Sequence, residues 1–219
     1  MEQVWGAIEA GGTHFVCAIG SEPNHLKALT TFPTGTPSET IGQVIKFFKL
    51  HERPSAIGVA SFGPLNLDLT SPQYGTITST PKEGWSDFNI VQTLNTSLEI
   101  PIVLDTDVNA AALAESAWGN AKGIANSVYL TIGTGIGAGV IANGQPIHGL
   151  IHPEIGHLRI PHDWGRDNFQ GVCPYHGDCF EGLASGPAIL KRWGIPAHDL
   201  GEDHPAWELE SEYLALGVK

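Results

Sequence analysis

Four side chains in the second half of the chain form a metal-binding set by type and spacing. Cys173, His176 and Cys179 recur every third residue in Cys173-Pro174-Tyr175-His176-Gly177-Asp178-Cys179, and His157 lies upstream. Two thiolates and two imidazoles complete a tetrahedral shell for Zn²⁺, and a full shell leaves no position for an activated water. An ion held this way would be structural. The alternative is a loop that merely contains Cys and His. Acids bracket the ligands: Glu154 in Glu154-Ile155-Gly156-His157, and Glu181 two residues past Cys179. Rigidly placed carboxylates accept hydrogen bonds from vicinal hydroxyls such as a sugar carries. The plainer reading is a pair of solvated loop acids.

Two Gly/Thr stretches suit a second task. Glu9-Ala10-Gly11-Gly12-Thr13 and Thr131-Ile132-Gly133-Thr134-Gly135-Ile136-Gly137 each join two apolar runs. Glycine lets the backbone approach an anion closely, successive N–H groups then point at it, and threonine adds a hydroxyl. Gly11, Gly12, Thr13, Thr131, Gly133, Thr134, Gly135 and Gly137 are therefore candidate phosphate-holding residues. An ordinary Gly-rich turn is the competing reading of either stretch alone. Their matching positions in the two halves argue for a duplicated architecture. Neither is a Walker loop, because Gly-Lys-Ser/Thr is missing, and neither is a dinucleotide fingerprint, because a strand follows the glycines. Asp107 follows an apolar run at 102–104 and opens an Ala-rich helix. It is either that helix's N-cap or a general base for a hydroxyl, at a strand's C-terminal end where ligands bind in open α/β sheets. Phosphoryl transfer asks for such a base, donors around the phosphates and usually Mg²⁺.

These residues need a scaffold, and the hydrophobic pattern supplies one. Strands are expected at 4–8, 15–19, 26–32, 56–60, 102–104, 127–132 and 139–142. Ile41, Val44, Ile45 and Phe48 recur at helical spacing after Ser38, an apparent N-cap, and predict a helix to about residue 51. Further helices are expected at 88–98, at 108–118 with Gly119 as its stop, at 188–193 and from 207 to 216. Residues 66–85 read as a long ordered loop, a length more often functional than not. The result is an α/β chain in two halves, 1–118 and 119–219.

Composition narrows the function further. The 219 residues are 42% hydrophobic and 16% charged, an ordinary globular balance. A net charge of -12 argues against a nucleic-acid partner, which needs a basic face. Three cysteines, two of them in the metal set, do not make a disulfide framework and fit a reducing, cytoplasmic compartment. Met1-Glu2-Gln3-Val4-Trp5 lacks the basic and apolar regions of a signal peptide, and no apolar run reaches membrane-span length. Cys17 alternates into a strand as a buried thiol. Trp85, Trp118, Trp164, Trp193 and Trp207 read as core or interface.

Taken together, these motifs resemble the ROK family of sugar kinases and repressors, the bacterial fructokinases most of all. Glu9-Ala10-Gly11-Gly12-Thr13 is similar to the first phosphate motif, with His14 where the family often has lysine. Thr106-Asp107-Val108-Asn109-Ala110-Ala111 is similar to the segment bearing the catalytic aspartate, with Thr106 where asparagine is common. The 131–139 stretch is similar to the second phosphate motif. Glu154-Ile155-Gly156-His157 matches Glu-x-Gly-His. His176 within the metal loop, and Thr80-Pro81-Lys82-Glu83-Gly84-Trp85, point to the fructokinase branch. The resemblance implies an actin-like, hexokinase-like (ribonuclease H-like) pair of α/β domains closing over ATP and a hexose, with the second domain incomplete. It implies Asp107 as the base, sugar contacts from Gly63, Pro64, Asn109, Glu154 and Glu181, and His157 as a zinc ligand. Mg²⁺ would arrive with ATP, and the protein would form homodimers. D-fructose is the leading substrate. Glucose or mannose, or a non-catalytic sugar-binding role, are the alternatives. The family's repressors carry a helix-turn-helix ahead of the first phosphate motif; with Glu9 so near the start, none is expected here.

Overall fold

Alternation of buried and exposed residues builds the first sheet. The computed structural model describes residues 3–149 and 152–219. β1 (Trp5–Ala10) buries Gly6, Ile8 and Ala10 and turns the intervening side chains outward. It pairs antiparallel with β2 (His14–Glu22), which pairs antiparallel with β3 (His25–Pro33). On its other side β1 pairs in parallel with β4 (Ile57–Ser61), and β4 with β7 (Ile102–Thr106). The order is β3-β2-β1-β4-β7. All the strands expected in this region form, each within a few residues of its expected limits.

Local chemistry sets the helix ends. α1 (Pro37–Leu50) is capped by Thr36, whose hydroxyl accepts from Glu39 N–H while the Glu39 carboxylate accepts from Thr36 N–H. This reciprocal box outcompetes Ser38, the expected cap, which lies inside the first turn. α2 (Ile90–Leu98) begins at the cap Asn89, later than expected. Phe88 and Asn89 instead form β6 (Phe88–Asn89), which pairs with β5 (Thr76–Ile77) inside the long loop. α1 and α2 cover one face of the sheet through Ile41, Val44, Phe47, Phe48, Leu94 and Leu98. At the centre, Trp85 stacks within 5.6 Å of Phe15, Phe62 and Phe88, and its Nε1–H donates to Gly35 O at 3.0 Å. Burial of such rings is worth about 2–3 kcal/mol each, and here it anchors the Gly63–Pro64 turn that follows Phe62. Trp85 is the buried member of the five tryptophans; Trp193 is half-buried and Trp118, Trp164 and Trp207 are exposed. Cys17 is fully buried, and burial pushes its thiol pKa up to about 12.

The second sheet repeats the hairpin of the first. β8 (Ser127–Ile132) and β9 (Ile136–Ala142) pair antiparallel, and β10 (Gln145–Pro146) adds to β9. α3 (Asp107–Trp118) packs on both sheets, against β4 and β7 and against β8 and β9. The approach is close: a Cβ on Gly139 would lie 2.1 Å from the Val108 carbonyl oxygen. A second, smaller core gathers Ile136, Ile160, Phe180, Leu183 and Tyr213. It is closed by α4 (Phe180–Ala184), which carries no periodic signal in the sequence, and by α6 (Ala206–Gly217). α5 (Gly186–Trp193) lies between them in the chain. Among the described residues no helix is long and apolar enough to cross a membrane.

Candidate active site and metal centre

The C-terminal end of β7 delivers Asp107 to a cleft. Thr106 is the N-cap of α3, its hydroxyl accepting from Asn109 N–H at 3.1 Å, so Asp107 is the first helical residue and not the cap. The cleft has a volume of about 830 Å³, within the range of small-ligand sites. Gly63 and Pro64 line one side, next to Ser79 and Pro81 of the long loop. Thr131, Gly133, Thr134, Gly135 and Gly137 of the β8–β9 hairpin line another. Glu154, Glu181, His157 and His176 complete the wall. Residues from six separate stretches of sequence thus face a single space.

Three carboxylates converge there in different environments. Crowding by protein atoms raises the Asp107 pKa above the usual aspartate range; the Val108 N–H, 2.9 Å from Oδ1, and the nearby His152 partly offset this, while Glu154 adds to it. Glu154 moves the opposite way, chiefly through its hydrogen bond with His152 at 2.8 Å. Glu181 Oε2 accepts from Ile136 N–H at 3.0 Å, and a Cβ on Gly135 would lie only 2.6 Å from that oxygen. The absence of a side chain at Gly135 is therefore what lets Glu181 seat against the hairpin.

Two expected groups lie elsewhere. Gly11, Gly12 and Thr13 form the β1–β2 turn, tied down by Thr34, which donates its hydroxyl to Gly11 O and its N–H to Thr13 O. They are not part of the cleft lining. Asn109 is fully buried behind Asp107, its Nδ2 donating to Asp105 Oδ1 at 2.8 Å. Asp105 also meets His148 Nε2 at 2.8 Å, a link from β7 to the segment after β10. Asp105 and His148 carry no signal in the sequence, whereas His152 stands two residues before Glu154 at the head of the stretch that bears the metal set.

The Cys/His set is brought together. Ligand atoms of His157, Cys173, His176 and Cys179 all lie within 4.8 Å of one another. Cys173 Sγ is 3.6 Å from His157 Nδ1 and 3.7 Å from His176 Nδ1, and Cys179 Sγ is 3.8 Å from His157 Nδ1. Ordinary Zn–S and Zn–N bonds at tetrahedral angles place S and N about 3.6 Å apart, so the arrangement fits a four-coordinate ion. His157 sits in a 3₁₀ turn, Ile155–His157. Gly156 in that turn presses on β9: a Cβ there would be 2.0 Å from Ile136 O.

With this geometry in view, comparison with known proteins is decisive. The model of the ROK family matches residues 5–209. The chain belongs to the ROK family. The fructokinase of Lactococcus lactis subsp. cremoris is 50% identical to this ROK protein over 215 residues, 98% of this chain and 73% of that one. The fructokinase of Zymomonas mobilis subsp. mobilis is 47% identical over 222 residues, 98% of this chain and 73% of that one. Among solved structures, the ROK hexokinase from Thermus thermophilus superposes with a TM-score of 0.78 at 27% identity, covering 99% of this chain and 76% of that chain. The mixed α/β fold is thus the hexokinase-like, actin-like fold of ROK proteins, in a chain shorter than its relatives.

Proposed function

We propose that this ROK protein transfers the γ-phosphoryl group of ATP to a hexose, D-fructose foremost. The observation that carries the reading is the convergence of Asp107, Glu154, Glu181 and the β8–β9 hairpin on one cleft. Sequence identity near 50% to fructokinases supports the sugar. Asp107 takes the proton of the attacking hydroxyl, and its raised pKa makes it a better base than an ordinary aspartate. Glu154 and Glu181 accept hydrogen bonds from sugar hydroxyls, beside the Gly63–Pro64 turn. The β8–β9 Gly/Thr hairpin holds the phosphates, and Mg²⁺ arriving with ATP would neutralise their charge. Asn109 supports this site from behind through Asp105.

His157, Cys173, His176 and Cys179 would hold Zn²⁺ as a brace. The ion would supply cross-linking: it would tie His157, three residues from Glu154, to Cys179, two residues from Glu181. The division into 1–118 and 119–219 is supported by two hydrophobic cores, one drawn from residues 4–104 and the other from residues 130–216. A homodimer in the cytoplasm is the assembly we infer from the family resemblance, and sedimentation measures it directly.

A coupled ADP-release assay over D-fructose, D-glucose and D-mannose tests the reading. Sugar-dependent ADP production, greatest with fructose, is expected. Thermal stabilisation by sugar with no ADP from any hexose would replace it with a non-catalytic sugar-binding role, a reading favoured by the position of residues 11–13 outside the cleft lining.

A further inference from the structure

We propose that His152 is a positioning residue whose imidazole holds Glu154 in the orientation that receives the sugar. The inference rests on the reading of Glu154 as a sugar acceptor. His152 Nε2 lies 2.8 Å from Glu154 Oε1. The His152 side chain is only 8% exposed while that of Glu154 is 46% exposed, so the ring is the fixed member of the pair and the carboxylate the one presented to the cleft. The ring is also wedged beside the other wall. A Cβ on Gly63 would lie 3.6 Å from His152 Cε1, which places the imidazole between Glu154 and the Gly63–Pro64 turn. Pro153, with its fixed φ, restricts the backbone that joins the pair.

The hydrogen-bond network assigns the ring's protonation. Nδ1 is buried and has no hydrogen-bond partner among the described residues. An imidazolium would leave a buried N–H there with no acceptor, which is costly, whereas a neutral ring leaves only a lone pair. The hydrogen bond to Glu154 therefore uses the proton on Nε2, which donates to Oε1. Among the described residues Oε2 has no donor and is left to accept a hydrogen bond from a hydroxyl, and one carboxylate rotamer is selected before the sugar arrives. Such pre-organisation removes an ordering cost from binding.

Calorimetric titration of D-fructose into the full chain tests this with Glu154→Ala, His152→Ala, His152→Gln and His152→Asn. Loss of Glu154 should weaken fructose binding about 10-fold or more. His152→Ala should weaken it by about 10-fold. The amide N–H of His152→Gln reaches the Nε2 position and should restore affinity to within about 3-fold of the parent, while His152→Asn, which mimics Nδ1, should not. Weak binding by Glu154→Ala with unchanged binding by His152→Ala, or equal binding by the Gln and Asn variants, overturns the positioning role alone. Unchanged binding by Glu154→Ala overturns the reading of Glu154 and the positioning role with it.

Discussion

Glu181 Oε2 accepts the backbone N–H of Ile136 at 3.0 Å, joining the helix after the metal loop to the second Gly/Thr hairpin. The two come from stretches far apart in sequence. A carboxylate proposed to meet the sugar thereby also fixes the turn proposed to hold the phosphates. Glu181→Ala should raise KM for ATP as well as for fructose and cost about 1–3 kcal/mol of stability, the penalty of an amide left without its acceptor. Initial-rate kinetics with each substrate varied, together with thermal melts, measure both; an effect confined to the sugar KM would break the link.

Asp107→Asn preserves shape and removes the base. Turnover should fall by about 10²–10⁴-fold with fructose affinity retained. In the parent protein the base must be ionised, and its pKa lies above the ordinary 3.8. Activity should therefore fall on acidification at a higher pH than a free aspartate would dictate. A kcat/KM profile against pH checks the direction, and near-parental turnover in the variant would remove Asp107 from the chemistry.

Cys179→Ser takes one ligand from the Cys/His set. The protein should carry about one zinc per chain by atomic emission and the variant markedly less. Loss of the brace should lower stability by at least about 2 kcal/mol, several degrees in Tm, and weaken fructose binding through misplaced Glu154 and Glu181. A metal-free parent protein of unchanged Tm would refute the brace.

Glu210 on α6 is buried beside Arg192, at 3.1 Å, and Arg192 also meets Asp167 at 3.2 Å. One guanidinium thus serves two carboxylates. Burial pushes the Glu210 pKa from 4.5 up to about 7, against the pull of Arg192 and with the push of Asp167. A raised folded-state pKa means the native protein binds a proton that the unfolded chain releases. Its stabilising effect is complete below pH 4.5, declines as pH rises and is lost above about 7. The Tm difference between parent and Glu210→Gln should shift against the parent between pH 5 and pH 7, as measured by calorimetry. A pH-independent difference would contradict it.

The strands of the first sheet were legible because alternation and apolar runs mark them directly. Helix limits were less so: Ser38 and Thr36 are both good caps by type, and the reciprocal bond with Glu39 decides between them. Phe88 has helical neighbours, yet pairing with Ile77 draws it into a strand. α4 is short and follows a ligand, so no period could announce it. Within the site, Asp107, Glu154, Glu181 and the second hairpin were legible as residue types beside glycines or ligands. Asn109 was read as a sugar contact, but the helix turns it inward to Asp105.

By itself the sequence determined the ligand set, the two Gly/Thr turns and the order of strands and helices, since each depends on neighbours a few residues apart. Only the tertiary structure decided which of these meet. α3 packs against β9 as closely as glycine allows, which carries Asp107 to the β8–β9 hairpin and leaves residues 11–13 outside the cleft lining. The pairing of His152 with Glu154, and of Glu181 with Ile136, depends on side-chain direction and on burial. Those are properties of packed elements in three dimensions, and no spacing along the chain encodes them.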